Sequence, residues 1–284
     1  MRRTRRSEPG AQRGFTLIEA IIVIVLTGIV AAVVARFIVL PVQAHLDTTA
    51  RAQLVDQADL ALRHIGRDLR RALPNSTRVN ASGQALELVP TTAAARYATQ
   101  GSGALSFGST DTGFSVVGPP LTLTSGQTLV FYNLGPGITG SDVYAPSGTA
   151  AEQATSNRRS ATNAAGQATA VTLSTLAGLP VGAFASPHRV LAVEPPVSYR
   201  CDLGAGTLTR HQGYGFQATQ PDPPTSGTAA LLASGVTGCR FSVESSLVAS
   251  HAALVHLRLA LATTTSAGTE SITLHHAVHV DNLP

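Results

Sequence analysis

Lysine and tryptophan are absent from this 284-residue chain, methionine occurs once and cysteine twice. Only 13% of the residues are charged and 5% are aromatic. Each shortage excludes something. A general electrostatic grip on nucleic acid needs an excess of cations, and the formal net charge of +4 at first suggests one. Five of the 20 basic residues and one of the 16 acidic ones precede Phe15, however, and the remainder balances at 15 arginines against 15 acids. The aromatic residues are too few and too scattered to stack bases, so no nucleic-acid partner is expected. Two cysteines alone cannot build a structural zinc site. The G-x-G-x-x-G, Walker A, H-E-x-x-H and G-x-S-x-G patterns are all missing. Serine, histidine and aspartate are plentiful without a spacing that marks a triad, so no enzyme, cofactor or metal is expected.

What the chain does have is concentrated at its start. Arg2, Arg3, Arg5, Arg6 and Arg13 form a basic leader, Gly14-Phe15-Thr16-Leu17-Ile18-Glu19 follows, and an almost uninterrupted apolar run extends from Ala20 to Ala35. Phe15 to Ala35 forms a helix of about 31 Å, enough to cross a bilayer. A carboxylate buried near the bilayer centre costs roughly 2.5–3.5 kcal/mol, so Glu19 needs a partner. An ordinary signal peptide would have a shorter core, although Val33-Val34-Ala35 is a passable cleavage site. A plain uncleaved anchor leaves Gly14 and Glu19 unexplained. Positive residues before the run, and none directly after it until Arg36, place the leader in the cytoplasm and the rest of the chain outside.

The string GFTLIE in this setting resembles the N-terminus of type IV pilins and pseudopilins. The resemblance implies cleavage by prepilin peptidase between Gly14 and Phe15, N-methylation of Phe15, and an assembly role for Glu19. Glu19 lies about 6 Å along the helix from the new amine. In a filament of staggered helices it would meet the amine of a neighbouring subunit, where low dielectric makes an unpaired carboxylate expensive. The implied partners are other major and minor pilins, the peptidase and an inner-membrane assembly platform. The implied location is the bacterial inner membrane, single-pass with a periplasmic C-terminal domain, and then a pilus or pseudopilus. Cys201 and Cys239 then face an oxidising compartment, where a disulfide is expected, with two reduced buried thiols as the alternative.

Beyond the membrane the helix is expected to continue, kinked by Pro41. Leu54, Ala58, Ala61, Leu62, Ile65, Leu69, Ala72 and Leu73 share one face at helical spacing. Asp56, Asp59, Arg63, Arg67, Arg70 and Arg71 fall opposite, with Asp59 and Arg63 as an i,i+4 pair, and Pro74-Asn75 is the expected stop. The expected segments are thus a cleaved leader 1–14, a transmembrane helix 15–40, its amphipathic continuation 41–74 and a β-rich domain 75–284. Strand-like runs are Leu86–Val89, Thr128–Tyr132, Val190–Val193, Val197–Arg200, Thr207–His211, Cys239–Val243, Leu254–Leu261 and Ser271–Val280. The runs at 197–200 and 207–211, joined by a glycine-rich loop, read as a hairpin. Thr139–Gly182 and Ala218–Gly238, rich in small and polar residues, read as surface loops. The fold class is α+β, with the long helix laid on an antiparallel sheet.

Among the histidines, His275 and His279 share a strand face about 13 Å apart, too far for one metal, with His276 on the other face. His251 and His256 are on or near the neighbouring strand. Asp111, Asp142 and Asp222 sit in loops without a calcium-loop pattern. Tyr144, Tyr214 and Phe216 are loop aromatics expected to pack locally.

Later blocks narrow the resemblance. FIVLPVQAHLDTTARAQLVDQADLALRHIGRDLRRALPNSTRV (Phe37–Val79), GQTLVFYNLG (Gly126–Gly135), PPVSYRCD (Pro195–Asp202), GTLTRHQGYG (Gly206–Gly215) and HHAVHVDNLP (His275–Pro284) look similar to the MshO family of minor pilins in MSHA pilus biogenesis. That family implies a low-abundance subunit in the initiation or tip complex of the fibre. A J-type minor pseudopilin of a type II secretion system shares the same outline. A tip adhesin or DNA-uptake pilin is the reading from another class.

Overall fold

The computed structural model describes residues 14–245, 252–265 and 268–283. The chain divides into two compact units, Met1–Ala50 with Thr265–Gly268, and Arg51–Thr264 with Thr269–Pro284. One helix, α1 (Leu17–Arg70), runs through Pro41 without a break in the helix. In the first unit its apolar side chains are exposed, with Leu17 at 83% and Phe37 at 78%. The hydroxyls there satisfy themselves, since Thr27 donates to the Val23 carbonyl and Thr48 to the Ala44 carbonyl at 2.8 Å. Such back-bonding gives the hydroxyls partners within the helix itself, as an apolar environment requires.

In the second unit the helix buries the stripe that its periodicity dictates: Leu54, Ala58, Ala61, Leu62, Ile65 and Leu69 are all 6% exposed or less. Asp59 and Arg63 pair on the opposite face at 2.6 Å. The helix stops at Arg70, short of Pro74. The cause is competition from strand backbone: the Arg71 carbonyl accepts from the Thr91 N–H at 2.8 Å, and the Leu73 N–H donates to the Val89 carbonyl at 2.7 Å. Asn75 then takes a left-handed conformation (φ 59°), which asparagine tolerates better than most residues. Its amide donates to the carbonyls of Asn133 and Asn282, at 3.0 and 3.1 Å.

Sixteen strands follow among the described residues. β1 (Arg78–Val79) and β2 (Ala85–Leu88) form the first hairpin. β3 (Thr91–Tyr97), β4 (Gly113–Val117), β5 (Leu121–Leu123) and β6 (Thr128–Phe131) precede a short helix, α2 (Ala150–Gln153). Next come β7 (Arg158–Ala161), β8 (Gly166–Ala168), β9 (Ala170–Ser174) and β10 (Arg189–Val193). β11 (Val197–Asp202), β12 (Thr207–Gln212) and β13 (Thr228–Ser234) lead to three long strands, β14 (Val236–Ser245), β15 (Ala252–Thr265) and β16 (Gly268–Asp281). This is the α+β class, and the hairpin read at 197–211 is β11–β12, with Val197 opposite Gln212 and Asp202 opposite Thr207.

Two main cores result. One joins α1 to the five-stranded sheet β1-β2-β11-β12-β13 and to the three-stranded sheet β14-β15-β16, through Ile65, Leu86, Tyr199, Leu208, Phe241, Leu257 and Val278. The other fills a closed barrel, β10-β3-β4-β9-β7-β6, around Tyr97, Phe114, Phe131, Val171, Leu173 and Val190. A smaller cluster takes in Leu73, Val89, Tyr144 and the alternate residues Val130 and Leu191 of β6 and β10. The barrel lies between β2 and β11, which are sheet neighbours with Val197 opposite Leu88. It is therefore an excursion of the chain from one sheet. Thr139–Gly182 is not a surface loop: it carries α2, β7, β8 and β9 and buries Val143, Tyr144, Ala161, Val171, Leu173 and Leu179. Ala218–Gly238 likewise contains the edge strand β13 and the start of β14, with Ala233 and Val236 buried. In β9 the small residues Ala170 and Thr172 face outward while Val171 and Leu173 fill the barrel, so a few large side chains suffice.

Candidate functional site

The N-terminal motif begins where the described chain begins. Gly14 and Phe15 precede α1 in non-helical backbone, and Phe15 is 74% exposed. A Cβ added to Gly14 would meet nothing within 4 Å, and no left-handed conformation is required there. Neither packing nor backbone geometry among the described residues demands the glycine, so a requirement for it has to come from outside them. The leader, residues 1–13, lies outside the described residues.

Thr16 starts the helix. Its carbonyl accepts the first helical bond, from the Ala20 N–H at 3.1 Å, and its hydroxyl accepts from the Glu19 N–H at 3.3 Å. Threonine at the cap with glutamate three residues on is the pattern that satisfies free N–H groups at a helix start. That local role is legible in the spacing T-x-x-E, beside the assembly role that the resemblance implies. Glu19 sits in the first turn, where a negative charge complements the helix dipole. Its side chain is exposed and has no ion-pair partner among the described residues. An 18-residue window of α1 has a mean hydropathy of 2.9 and none of it is buried. Among the described residues, then, the motif presents an apolar rod headed by a carboxylate without an ion-pair partner.

The cysteines lie far from this end of the sequence. Cys201, next to the last residue of β11, is 2% exposed and is bonded to Cys239 of β14, with 6.3 Å between their Cα atoms. The bridge fastens the five-stranded sheet to the three-stranded one, across the core that α1 completes.

Two buried polar networks accompany it. Asp68, on the buried stripe of α1, accepts from the Tyr199 hydroxyl at 2.6 Å and from Arg210 Nη2 at 3.0 Å, and His64 Nδ1 lies 3.1 Å from the same hydroxyl. Burial and the Asp68 carboxylate push the Tyr199 phenol well above its ordinary range. In the second network Glu87, fully buried on β2, pairs with Arg78 and accepts from the Tyr214 hydroxyl at 2.6 Å. Arg78 also donates to the carbonyls of Ala218 and Gln217, at 2.7 and 2.8 Å. Burial outweighs the Arg78 pairing and the Tyr214 bond, so the Glu87 carboxyl is held above its ordinary pKa. Both networks hold elements together.

The remaining candidates resolve as local packing. Asp111 accepts from the Ser106 N–H at 2.7 Å, Asp142 from the Gly137 and Tyr144 N–H groups at 2.8 Å each, and Asp222 from Arg200 Nε at 2.8 Å. Tyr144 donates to the Ser76 carbonyl at 2.7 Å, and Arg158 stacks 4.0 Å over the Phe216 ring. Arg159 spreads its guanidinium over the carbonyls of Gln153, Ser156, Ala177 and Gly178, and desolvation lowers its pKa to about 10. Along β16, His275 and His279 are exposed or nearly so in alternation with their neighbours, as a strand requires. His251 lies outside the described residues. Among the described residues no three His, Cys, Asp or Glu side chains converge as metal ligands.

Residues 10–35 match the family model of the prokaryotic N-terminal methylation motif. The motif is that of type IV pilin-like chains, which are structural subunits and not enzymes, which associate with other pilins and which a prepilin peptidase processes. The exposed apolar helix and this motif together suit a membrane-anchored pilin. No curated protein and no solved structure matches the chain.

Proposed function

We propose that this chain is a minor pilin-like subunit that takes part in the initiation or tip complex of an MSHA-type type IV pilus. The observation that carries the proposal is the exposed apolar half of α1 behind the Gly14-Phe15 junction. Such a surface needs a bilayer before assembly and neighbouring helices after it, and the motif that heads it is pilin-like. In this reading the peptidase cuts between Gly14 and Phe15, Phe15 is N-methylated, and Glu19 pairs with the amine of an adjacent subunit. The leader stays in the cytoplasm and the β part lies in the periplasm before entering the fibre.

The MSHA-type assignment draws on where the similar blocks fall. Phe37–Val79 covers most of α1 and β1, Pro195–Asp202 covers β11, Gly206–Gly215 covers β12, and His275–Pro284 holds the end of β16. These are the elements around the first core, and they carry Asp68, Tyr199, Cys201, Arg210 and Tyr214. The barrel, apart from β6 in Gly126–Gly135, lies outside the similar blocks. Its two main cores make the subunit bulky for every position of a fibre, which favours a minor subunit.

A clean deletion in the native host, scored in parallel for sheared surface fibres and for secreted proteins, tests the reading. Loss of fibres with secretion intact is the expected result. Loss of secretion with fibres unaffected would move the subunit to the J-type pseudopilins. Intact fibres that no longer attach or take up DNA would make it a tip module.

A further inference from the structure

The sheet β14-β15-β16 packs one face on α1 and leaves the other open. On the open face the strand register sets Arg240 directly opposite Arg258, and Ser242 opposite His256. Like charges so placed across neighbouring strands are destabilising. Among the described residues neither guanidinium has an ion-pair partner. His275 joins them from β16, and an open concavity of about 350 Å³ has Arg240, Ser242, His256, Arg258 and His275 in its lining. The acid beside them is Glu244, its carboxylate 3.5 Å from His256 Nε2 at one end and 72% exposed. That imidazole nitrogen is buried and makes no hydrogen bond.

The donor set decides the class of guest. Two guanidiniums repel a metal ion, so the histidines here do not make a metal site. Arginine forks match the spacing of oxygens on a phosphate, and a hydroxyl and imidazoles add further hydrogen bonds. The volume falls in the lower part of the range of roughly 300–1,000 Å³ typical of small-ligand sites, larger than a bare phosphate requires. We infer that this concavity binds a phosphate ester of a small polar group, with Arg240 and Arg258 gripping the phosphate. The ligand relieves the repulsion between the two arginines, which explains why they are held face to face. A soluble phosphate ester and a lipid headgroup carry the same chemistry.

The test uses the full chain in an uncharged detergent. Glycerol 3-phosphate is the soluble probe, phosphatidylglycerol in mixed micelles is the lipid probe, and glycerol is the control. Calorimetry and the thermal midpoint are read for wild type, for the double variant Arg240→Gln/Arg258→Gln, and for Arg63→Gln on the exposed face of α1. Saturable binding of either probe, absent for glycerol, at least tenfold weaker in the double variant and unchanged in Arg63→Gln, supports the site, and the probe that binds identifies the source. Without ligand the double variant should melt no lower than wild type, which separates lost binding from lost folding. Failure of both probes to bind, or equal binding to wild type and double variant, overturns the inference.

Discussion

The Tyr199 hydroxyl donates to Asp68 Oδ2 at 2.6 Å, and Arg210 reaches the same oxygen at 3.0 Å, so one helix carboxylate fixes two adjacent sheet strands. The side chains of Asp68 and Arg210 are 6% and 17% exposed. Burying such a pair yields little net stability, but removing one partner strands the other. Asp68→Asn keeps the volume and loses the charge. It should destabilise the domain by about 3–5 kcal/mol, read from the midpoint of denaturant unfolding. Asp68→Asn combined with Arg210→Met should recover much of that loss. A double variant no better than the single one would show that the network is worth more than its charges.

The Cys201–Cys239 bridge closes a loop with a sequence separation of 38 between sheets that share one core. On the chain-entropy account the bond is worth about 3–4 kcal/mol. Replacing both cysteines by serine should lower stability by that amount, and reductant should do the same to wild type and nothing to the variant. Equal melting of oxidised and reduced wild type would contradict this.

Glu87 supplies a pH dependence whose sign follows from its shift. Its carboxyl is held above the ordinary value of 4.5, chiefly by burial. The folded state therefore retains a proton that the unfolded chain releases first. The resulting stability is fully present below about pH 4.5 and is lost as pH rises through the folded value. The stability of wild type relative to Glu87→Gln should thus be greatest near pH 4 and should decline towards neutrality. An advantage that grew with pH would mean that the Arg78 pairing dominates instead.

These networks were only half legible in the sequence. Asp68 follows Ala61 and Ile65 at helical spacing, so an acid on the apolar stripe was there to be seen. Glu87 likewise interrupts the apolar run Ala85-Leu86-Glu87-Leu88-Val89. The helix stripe and the β11–β12 hairpin were readable because periodicity and turn residues are local signals. The barrel was not. Its wall and the strands beside it include Thr91-Thr92-Ala93-Ala94-Ala95, Arg158-Arg159-Ser160-Ala161 and Gly166-Gln167-Ala168, whose small residues look like linker until neighbours close around them. β-propensity depends on what a side chain packs against, and closure of a barrel is decided by partners far away in sequence.

Gly66 marks a close approach of α1 to β16. A Cβ there would lie 3.3 Å from His276 Nε2 and 3.5 Å from Val278 Cγ2. Alanine gains about 1 kcal/mol of helix propensity, and the contact is with the far end of a half-buried side chain that needs to shift by only a few tenths of an ångström, so Gly66→Ala should be close to neutral. Gly66→Leu cannot be absorbed so easily and should cost about 1–3 kcal/mol by overpacking. Comparison of the two by thermal unfolding checks the contact.

Gly14 and Glu19 separate two steps that a single loss of fibres would merge. Gly14 has empty space around it and Glu19 has no ion-pair partner among the described residues, so changes at either should leave the fold of the rest of the chain intact. If the glycine is needed only by the peptidase, Gly14→Val should accumulate unprocessed chain in the membrane fraction, visible as a larger band on a gel. If the carboxylate is needed only for pairing with a neighbour's amine, Glu19→Ala should be cut normally and remain in the membrane without entering fibres. Glu19→Asp keeps the charge but shortens its reach, and should recover part of the incorporation. Normal incorporation of Glu19→Ala would remove the pairing role. The carboxylate would then serve only the helix start that Thr16 already caps.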